Sequence, residues 1–141
     1  MTGTELETTF LAEHRLAIGT FRFYRNLVIG RIDEGQQVTL DSALPVIAIG
    51  IEFYNRKRPA VYLSDRQHSY SMDPTLHLEA HKLFPFLLGY GVVAYNDINR
   101  RVAELEQQFV PCPSGIFDSM DAGLAWAMQL IGEQEKSRPH R

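Results

Sequence analysis

The sequence predicts an α/β protein with a mixed sheet, an N-terminal antiparallel hairpin followed by αβαβαβα. Three observations carry this. Two β-rich runs, Thr20-Phe21-Arg22-Phe23-Tyr24 and Leu27-Val28-Ile29-Gly30-Arg31-Ile32, flank the polar pair Arg25-Asn26, the pattern of a tight hairpin. Ala60-Val61-Tyr62-Leu63-Ser64 is a short apolar run between two helical stretches, as a buried parallel strand reads. From there helical periodicity and short apolar runs alternate, the order of a layered fold with helices packed on a sheet.

The elements follow in chain order. Phe10, Ala12 and Leu16 alternate with Thr9, Glu13 and Arg15, so one or two strands precede Gly19. Asp33-Glu34-Gly35-Gln36 ends the hairpin. Thr39 is placed to cap a helix, with Asp41 in its first turn to meet the helix dipole. Pro45 and the β-branched Val46, Ile47, Ile49 and Ile51 also allow a strand, but the run over 43–54 exceeds usual strand length and favours helix. That helix is apolar on most sides, which predicts burial on several faces or a subunit contact. Arg56-Lys57-Arg58 reads as a solvated turn before Pro59.

After the strand over 60–64 comes a polar loop, 65–73, and then Asp73-Pro74, a favoured cap followed by proline at the first helical position. The spacing predicts a helix over 74–83, a second buried strand over 87–95, and a third helix capped by Asn96 or Asp97. On that third helix Ile98, Val102, Leu105 and Phe109 form the inward stripe, and Arg100, Arg101, Glu104 and Glu106 the wet side. A short strand over 115–117 and a last helix capped by Ser119 complete the chain. The glycines of the 87–95 strand predict close packing against a helix or another backbone.

The 141 residues suit one domain, placed at 7–131, with flexible ends at 1–6 and 133–141. A net charge of −3 offers no basic footprint for nucleic acid. No apolar run approaches the ~20 residues of a membrane span. The first residues lack the basic and apolar regions of a signal peptide. A single cysteine, Cys112, leaves no internal disulfide. Together these lead to the expectation of a cytoplasmic protein.

Five stretches carry a resemblance: Tyr24-Arg25-Asn26-Leu27-Val28-Ile29-Gly30, Thr39-Leu40-Asp41, Tyr62-Leu63-Ser64-Asp65-Arg66, Ser69-Tyr70-Ser71-Met72-Asp73-Pro74, and Gly115-Ile116-Phe117-Asp118-Ser119-Met120-Asp121-Ala122-Gly123-Leu124-Ala125-Trp126. In this order they resemble the small bacterial STAS-like (SpoIIAA-like) proteins, over roughly residues 7 to 131. The resemblance implies the fold of anti-sigma-factor antagonists and sulphate-transporter tails, with relatives in the lipid-carrying Sec14-like group. The antagonists carry an Asp-x-Ser-Gly-type motif with a phosphorylatable serine at the strand-to-helix junction. Here the junction reads Ser64-Asp65-Arg66-Gln67-His68-Ser69-Tyr70-Ser71-Met72-Asp73-Pro74, and no residue matches that serine by motif.

The candidate chemistry is sparse. His77 and His81, four apart on a helix, share a face, but Leu78 stands where the zincin pattern needs Glu, so no metal and no cofactor are expected. Ser69, Ser71, His68, Asp65 and Asp73 are triad residue types crowded into one loop without a nucleophile elbow, so no hydrolase is expected. The expected function is a non-enzymatic binding or regulatory module, a homodimer with a protein partner read by Asp65, Arg66, His68, Ser69, Tyr70 and Ser71, above the structural cap Asp73-Pro74. A carrier of a small apolar ligand is the alternative, by analogy with the Sec14-like group.

Overall fold

A computed structural model describes residues 6–137. The sheet has six strands in the order β1-β2-β3-β5-β7-β8: β1 Phe10–Leu16, β2 Gly19–Tyr24, β3 Leu27–Ile32, β5 Ala60–Arg66, β7 Leu87–Ala94 and β8 Ser114–Phe117. The first three are antiparallel, joined by short turns; β3, β5, β7 and β8 are mutually parallel. Each parallel step needs a crossover, supplied by α1 Leu40–Phe53, α2 Leu76–Leu83 and α3 Asp97–Gln107, and α4 Met120–Ser137 follows β8. A separate two-residue ladder pairs β4 Gln37–Val38 with β6 Ser71–Met72. The expected order of elements is present, with this small ladder added.

Alternation along the strands sorts side chains into two layers. On one face Phe21, Phe23, Val28, Ile32 and Ala60 pack with α1 and α2 through Val46, Ile49, Phe53, Leu76 and Phe84. On the other, Tyr24, Leu27, Val61 and Leu63 meet Trp126, Leu130 and Ile131 of α4. The glycines of β7 serve this second face. A Cβ on Gly91 would lie 2.8 Å from Trp126 Cζ3, and one on Gly89 would lie 2.9 Å from Trp126 Cη2. The close helix approach read from these glycines is therefore present.

Thr39 caps α1 as expected. Its hydroxyl accepts from the Ser42 amide at 3.2 Å, and the Ser42 hydroxyl accepts from the Thr39 amide at 2.9 Å. Pro45 falls in the second turn, where it forfeits one helical hydrogen bond without ending the helix. Tyr54, just past the helix, donates to the Tyr24 carbonyl at 2.6 Å, which pins the end of α1 to the hairpin.

Four expectations need correction. β5 runs on to Arg66 because Asp65 and Arg66 pair with Val93 and Ala94, so the loop begins at Gln67. Helix α2 begins at Leu76. The amides of Leu76, His77 and Leu78 bond three residues back, a tighter turn that precedes the helix. Asp73 still closes that turn, its carboxylate accepting from the Thr75 amide at 3.0 Å and the Thr75 hydroxyl at 2.8 Å. The last helix continues to Ser137 where a flexible end was expected from 133, and Leu6, within the flexible start expected over 1–6, is buried against the core of Tyr24, Leu27 and Ala127; the remainder of both expected ends, 1–5 and 138–141, lies outside the described residues.

The fourth correction is the orientation of α3. Its buried residues are Asn99, Ala103 and Glu106, while Ile98 is 72% exposed and Val102 and Leu105 also face out. Residues 99, 103 and 106 have the same helical spacing as 98, 102 and 105, so period alone does not choose the face. The polar set wins because each member has a buried role. Asn99 donates to the Arg66 carbonyl and accepts from Ser69, Ala103 allows close approach to Val92 and Ala94, and Glu106 pairs with Arg66.

Candidate functional site

Alternate positions of β5 put Tyr62, Ser64 and Arg66 on the face covered by α1, α2 and α3. Arg66 is 3% exposed and forms a bidentate pair with Glu106, Nη1 to Oε2 at 2.5 Å and Nη2 to Oε1 at 2.8 Å. Its remaining donors reach Ser64 Oγ at 3.1 Å and the Tyr90 hydroxyl at 3.1 Å. His77 Nε2 lies 2.8 Å from Glu106 Oε1, and Ser64 Oγ lies 3.2 Å from the Tyr70 hydroxyl. The Tyr70 ring lies under the guanidinium, 5.1 Å from its carbon to the ring centroid. Among the described residues, no fully buried side-chain nitrogen or oxygen lacks a hydrogen bond.

The electrostatics follow from burial and pairing. Burial would raise the Glu106 pKa, but hydrogen bonds from His77 and Arg66, with the charge of Arg66, outweigh it and hold the carboxylate below its ordinary value. Burial raises the pKa of Tyr62, Tyr70 and Tyr90 alike, so all three phenols stay neutral. Asp65 points to the other face of the sheet, also buried. It accepts from the Tyr95 hydroxyl at 2.7 Å, Arg31 at 3.0 Å and Gln67 at 3.2 Å.

Beside the Arg66 network lies a cavity of about 170 Å³. The sheet contributes Phe21, Phe23, Val28, Ile32, Tyr62 and Tyr90 to its wall. Helix α1 adds Val46 and Ile47, α2 adds Leu76, His77 and His81, and the segment before β8 adds Cys112. Tyr70 and Met72 close it from the loop. Almost the whole lining is hydrocarbon or aromatic ring. Arg66 and Glu106 stand behind the tyrosines and do not line it.

Tyr62 is stacked on Tyr90, centroids 5.4 Å apart and planes 5° from parallel. Its hydroxyl lies over Gly30 of the neighbouring strand, where a Cβ would be 1.9 Å from the oxygen. Glycine at position 30 is therefore what admits the phenol. Within the described residues no protein group hydrogen-bonds this hydroxyl, in contrast to those of Tyr54, Tyr70 and Tyr90.

The residues expected to form the partner surface are divided by the fold. Asp65 and Arg66, at 3% exposure each, are structural and cannot be read from outside. Tyr70 turns into the cavity, His68 is half-buried, and Ser69 and Ser71 are exposed. His77 and His81 do share a face, directed at the cavity. No group of three metal-ligating side chains is present among the described residues. Sequence reasoning missed Tyr62, Tyr90 and Glu106. A signal for the first existed: polar side chains at 62, 64 and 66 of a buried strand necessarily share one interior face.

Fold and site together define an α/β protein with a mixed sheet and an apolar cavity between that sheet and its helices. No family model, no curated protein and no solved structure matches the chain. No helix among the described residues is long and apolar enough to cross a membrane.

Proposed function

We propose that the chain is a non-enzymatic, STAS-like binding module that holds one small, mainly apolar molecule in the cavity. The cavity carries this reading. An empty apolar cavity of about 150 Å³ is enough to bind benzene, so 170 Å³ suits a molecule of about one ring or a short chain. It is too small for a long-chain lipid, which narrows the Sec14-like analogy to a much smaller ligand. The absence of an activated nucleophile among the lining groups supports a binding role. Burial lifts the Cys112 thiol to about 11, and the Ser64 hydroxyl, behind the lining, is held by Arg66 and Tyr70. Native mass spectrometry of the purified chain, with calorimetric titration of toluene, tests the reading. Retained small-molecule mass or saturable toluene binding is expected; neither retained mass nor binding of any small aromatic molecule would remove it.

The loop supports a second role for a protein partner. Ser69 and Ser71 are exposed, the Ser69 hydroxyl donating to Asn99 at 3.2 Å, while Tyr70 and Met72 face the cavity, so one segment touches both ligand and solvent. The Ser69 amide donates to the Glu34 carboxylate at 3.0 Å, so a phosphate on Ser69 would meet that negative charge and loosen the loop. A partner captured by the wild type and lost with Ser69→Glu and Ser71→Glu supports this role; equal capture by all three removes it. A homodimer belongs to the same proposal, supported by the apolar side chains left in solvent on α1, Leu44 and Ile51, and on α3, Ile98, Val102 and Leu105.

A further inference from the structure

Among the described residues, the Tyr62 hydroxyl is the one phenol of the cavity without a protein partner. A tyrosine oxygen inside a protein ordinarily has a hydrogen bond, and this one, not sealed off by protein, remains open to a partner in the cavity. Tyr70 and Tyr90 follow that rule through Ser64 and Arg66. Tyr62 is held in place by stacking on Tyr90, and its oxygen is admitted by the missing side chain of Gly30. The fold thus fixes a polar atom in a mainly apolar wall and leaves it without a protein partner among the described residues.

Charge around the cavity narrows what can meet that atom. The nearby ions, Arg66 and Glu106, neutralise each other and lie behind the wall, and His77 is engaged with the same carboxylate. An ammonium in the cavity would be buried without a counter-ion, and a carboxylate would have to draw a proton onto His81, the other imidazole of the lining; both cost more than seating a neutral group. A neutral oxygen would lose little and gain a hydrogen bond.

We infer that the cavity selects an uncharged molecule of about one ring carrying a single hydrogen-bonding oxygen, of the phenol or small alcohol class, with that oxygen bound to the Tyr62 hydroxyl. This rests on the cavity being a binding site and adds the chemical class of its ligand. Tyr62 is then the specificity-determining residue, and Gly30 is its positioning partner. The apolar walls supply affinity without direction, and the phenol supplies the orientation.

Three probes separate the possibilities: p-cresol, toluene and 4-methylbenzoate, titrated into the full chain and into Tyr62→Phe by calorimetry. Wild type is expected to bind p-cresol and toluene, with 4-methylbenzoate at least about tenfold weaker than p-cresol. Tyr62→Phe is expected to weaken p-cresol by about tenfold, the scale of one hydrogen bond, and to leave toluene within about twofold. Equal effects on toluene and p-cresol, no effect on either, or 4-methylbenzoate binding as well as p-cresol would overturn the inference while leaving the cavity a binding site. Binding of none of the three would overturn both. A measurement on the unaltered chain guards against a variant that fails to fold. With tyrosine labelled at the phenol carbon, the Tyr62 resonance should shift with p-cresol beyond its shift with toluene; equal shifts contradict the inference.

Discussion

The guanidinium of Arg66 and the carboxylate of Glu106, 40 residues apart, meet in parallel hydrogen bonds of 2.5 and 2.8 Å inside the protein. This contact joins the central strand to α3 and sets which side of that helix faces the sheet. It also fixes the guanidinium that orders Ser64 and Tyr90.

Glu106→Gln should be strongly destabilising, because it leaves a buried guanidinium without its counter-charge; about 3–5 kcal/mol is the scale for breaking such a pair. The pH dependence has a definite sign. The folded pKa of Glu106 lies below its ordinary 4.5, so its stabilisation is complete above that value and lost as pH falls through the folded one. The gap in urea midpoint between wild type and Glu106→Gln should therefore narrow from pH 7 towards pH 3. A gap that stays constant over that range contradicts the assignment.

Gly30→Ala should destabilise by about 1–3 kcal/mol, the range for overpacking. Its Cβ would fall 1.9 Å from the Tyr62 oxygen, 2.7 Å from Tyr62 Cζ and 3.0 Å from Phe21 Cδ1, so part of the clash is with the ring itself. Tyr62→Phe removes the closer atom, so the same alanine should cost less in that background. Chemical unfolding of the four proteins of this cycle measures the coupling; additive effects would show that the hydroxyl is not what fills the space above Gly30.

The two faces of α3 should respond oppositely. Ile98→Glu should alter stability by no more than about 0.5 kcal/mol, as an exposed site does, whereas Ala103→Leu, at a fully buried position, should destabilise by about 1–3 kcal/mol. The reverse order would restore the orientation read from the apolar stripe. Sedimentation of the same Ile98→Glu protein beside Ile51→Glu tests the homodimer: the variant on the contact face should become monomeric, and a wild type that is monomeric at high micromolar concentration ends that proposal.

Zinc should bind weakly. His77 and His81 share a face, but His77 Nε2 already holds Glu106 Oε1 at 2.8 Å, so metal capture would have to break into the Arg66 network. Calorimetric titration should show no stoichiometric sub-micromolar site. Tight binding abolished by His81→Ala would contradict this.

Much of the architecture was legible because local signals agreed: the Arg25-Asn26 hairpin, the Thr39 cap, the apolar strand runs, and the glycines beneath Trp126. What escaped depended on distant partners. Glu106 reads as a surface glutamate until Arg66 is placed opposite it, and Ile98 reads as core for the same reason. Asp65 and Arg66 read as loop because their polarity hides the strand pairing with Val93 and Ala94. The cavity was not legible at all, since it is shaped by side chains from two helices, the sheet, the loop and the segment before β8.

The wall formed by Tyr70 and Met72 has a short backbone ladder behind it. The ladder behind it has two residue pairs, Gln37 with Ser71 and Val38 with Met72, supported by the bond from the Gly35 amide to the Ser69 carbonyl at 2.8 Å. The side chains add the bonds of Ser69 to Asn99 and of Tyr70 to Ser64, yet a backbone ladder this short opens more readily than the central strands. A molecule seated against Tyr70 and Met72 should therefore slow hydrogen exchange at Gly35 and Ser71 more than in the central strands.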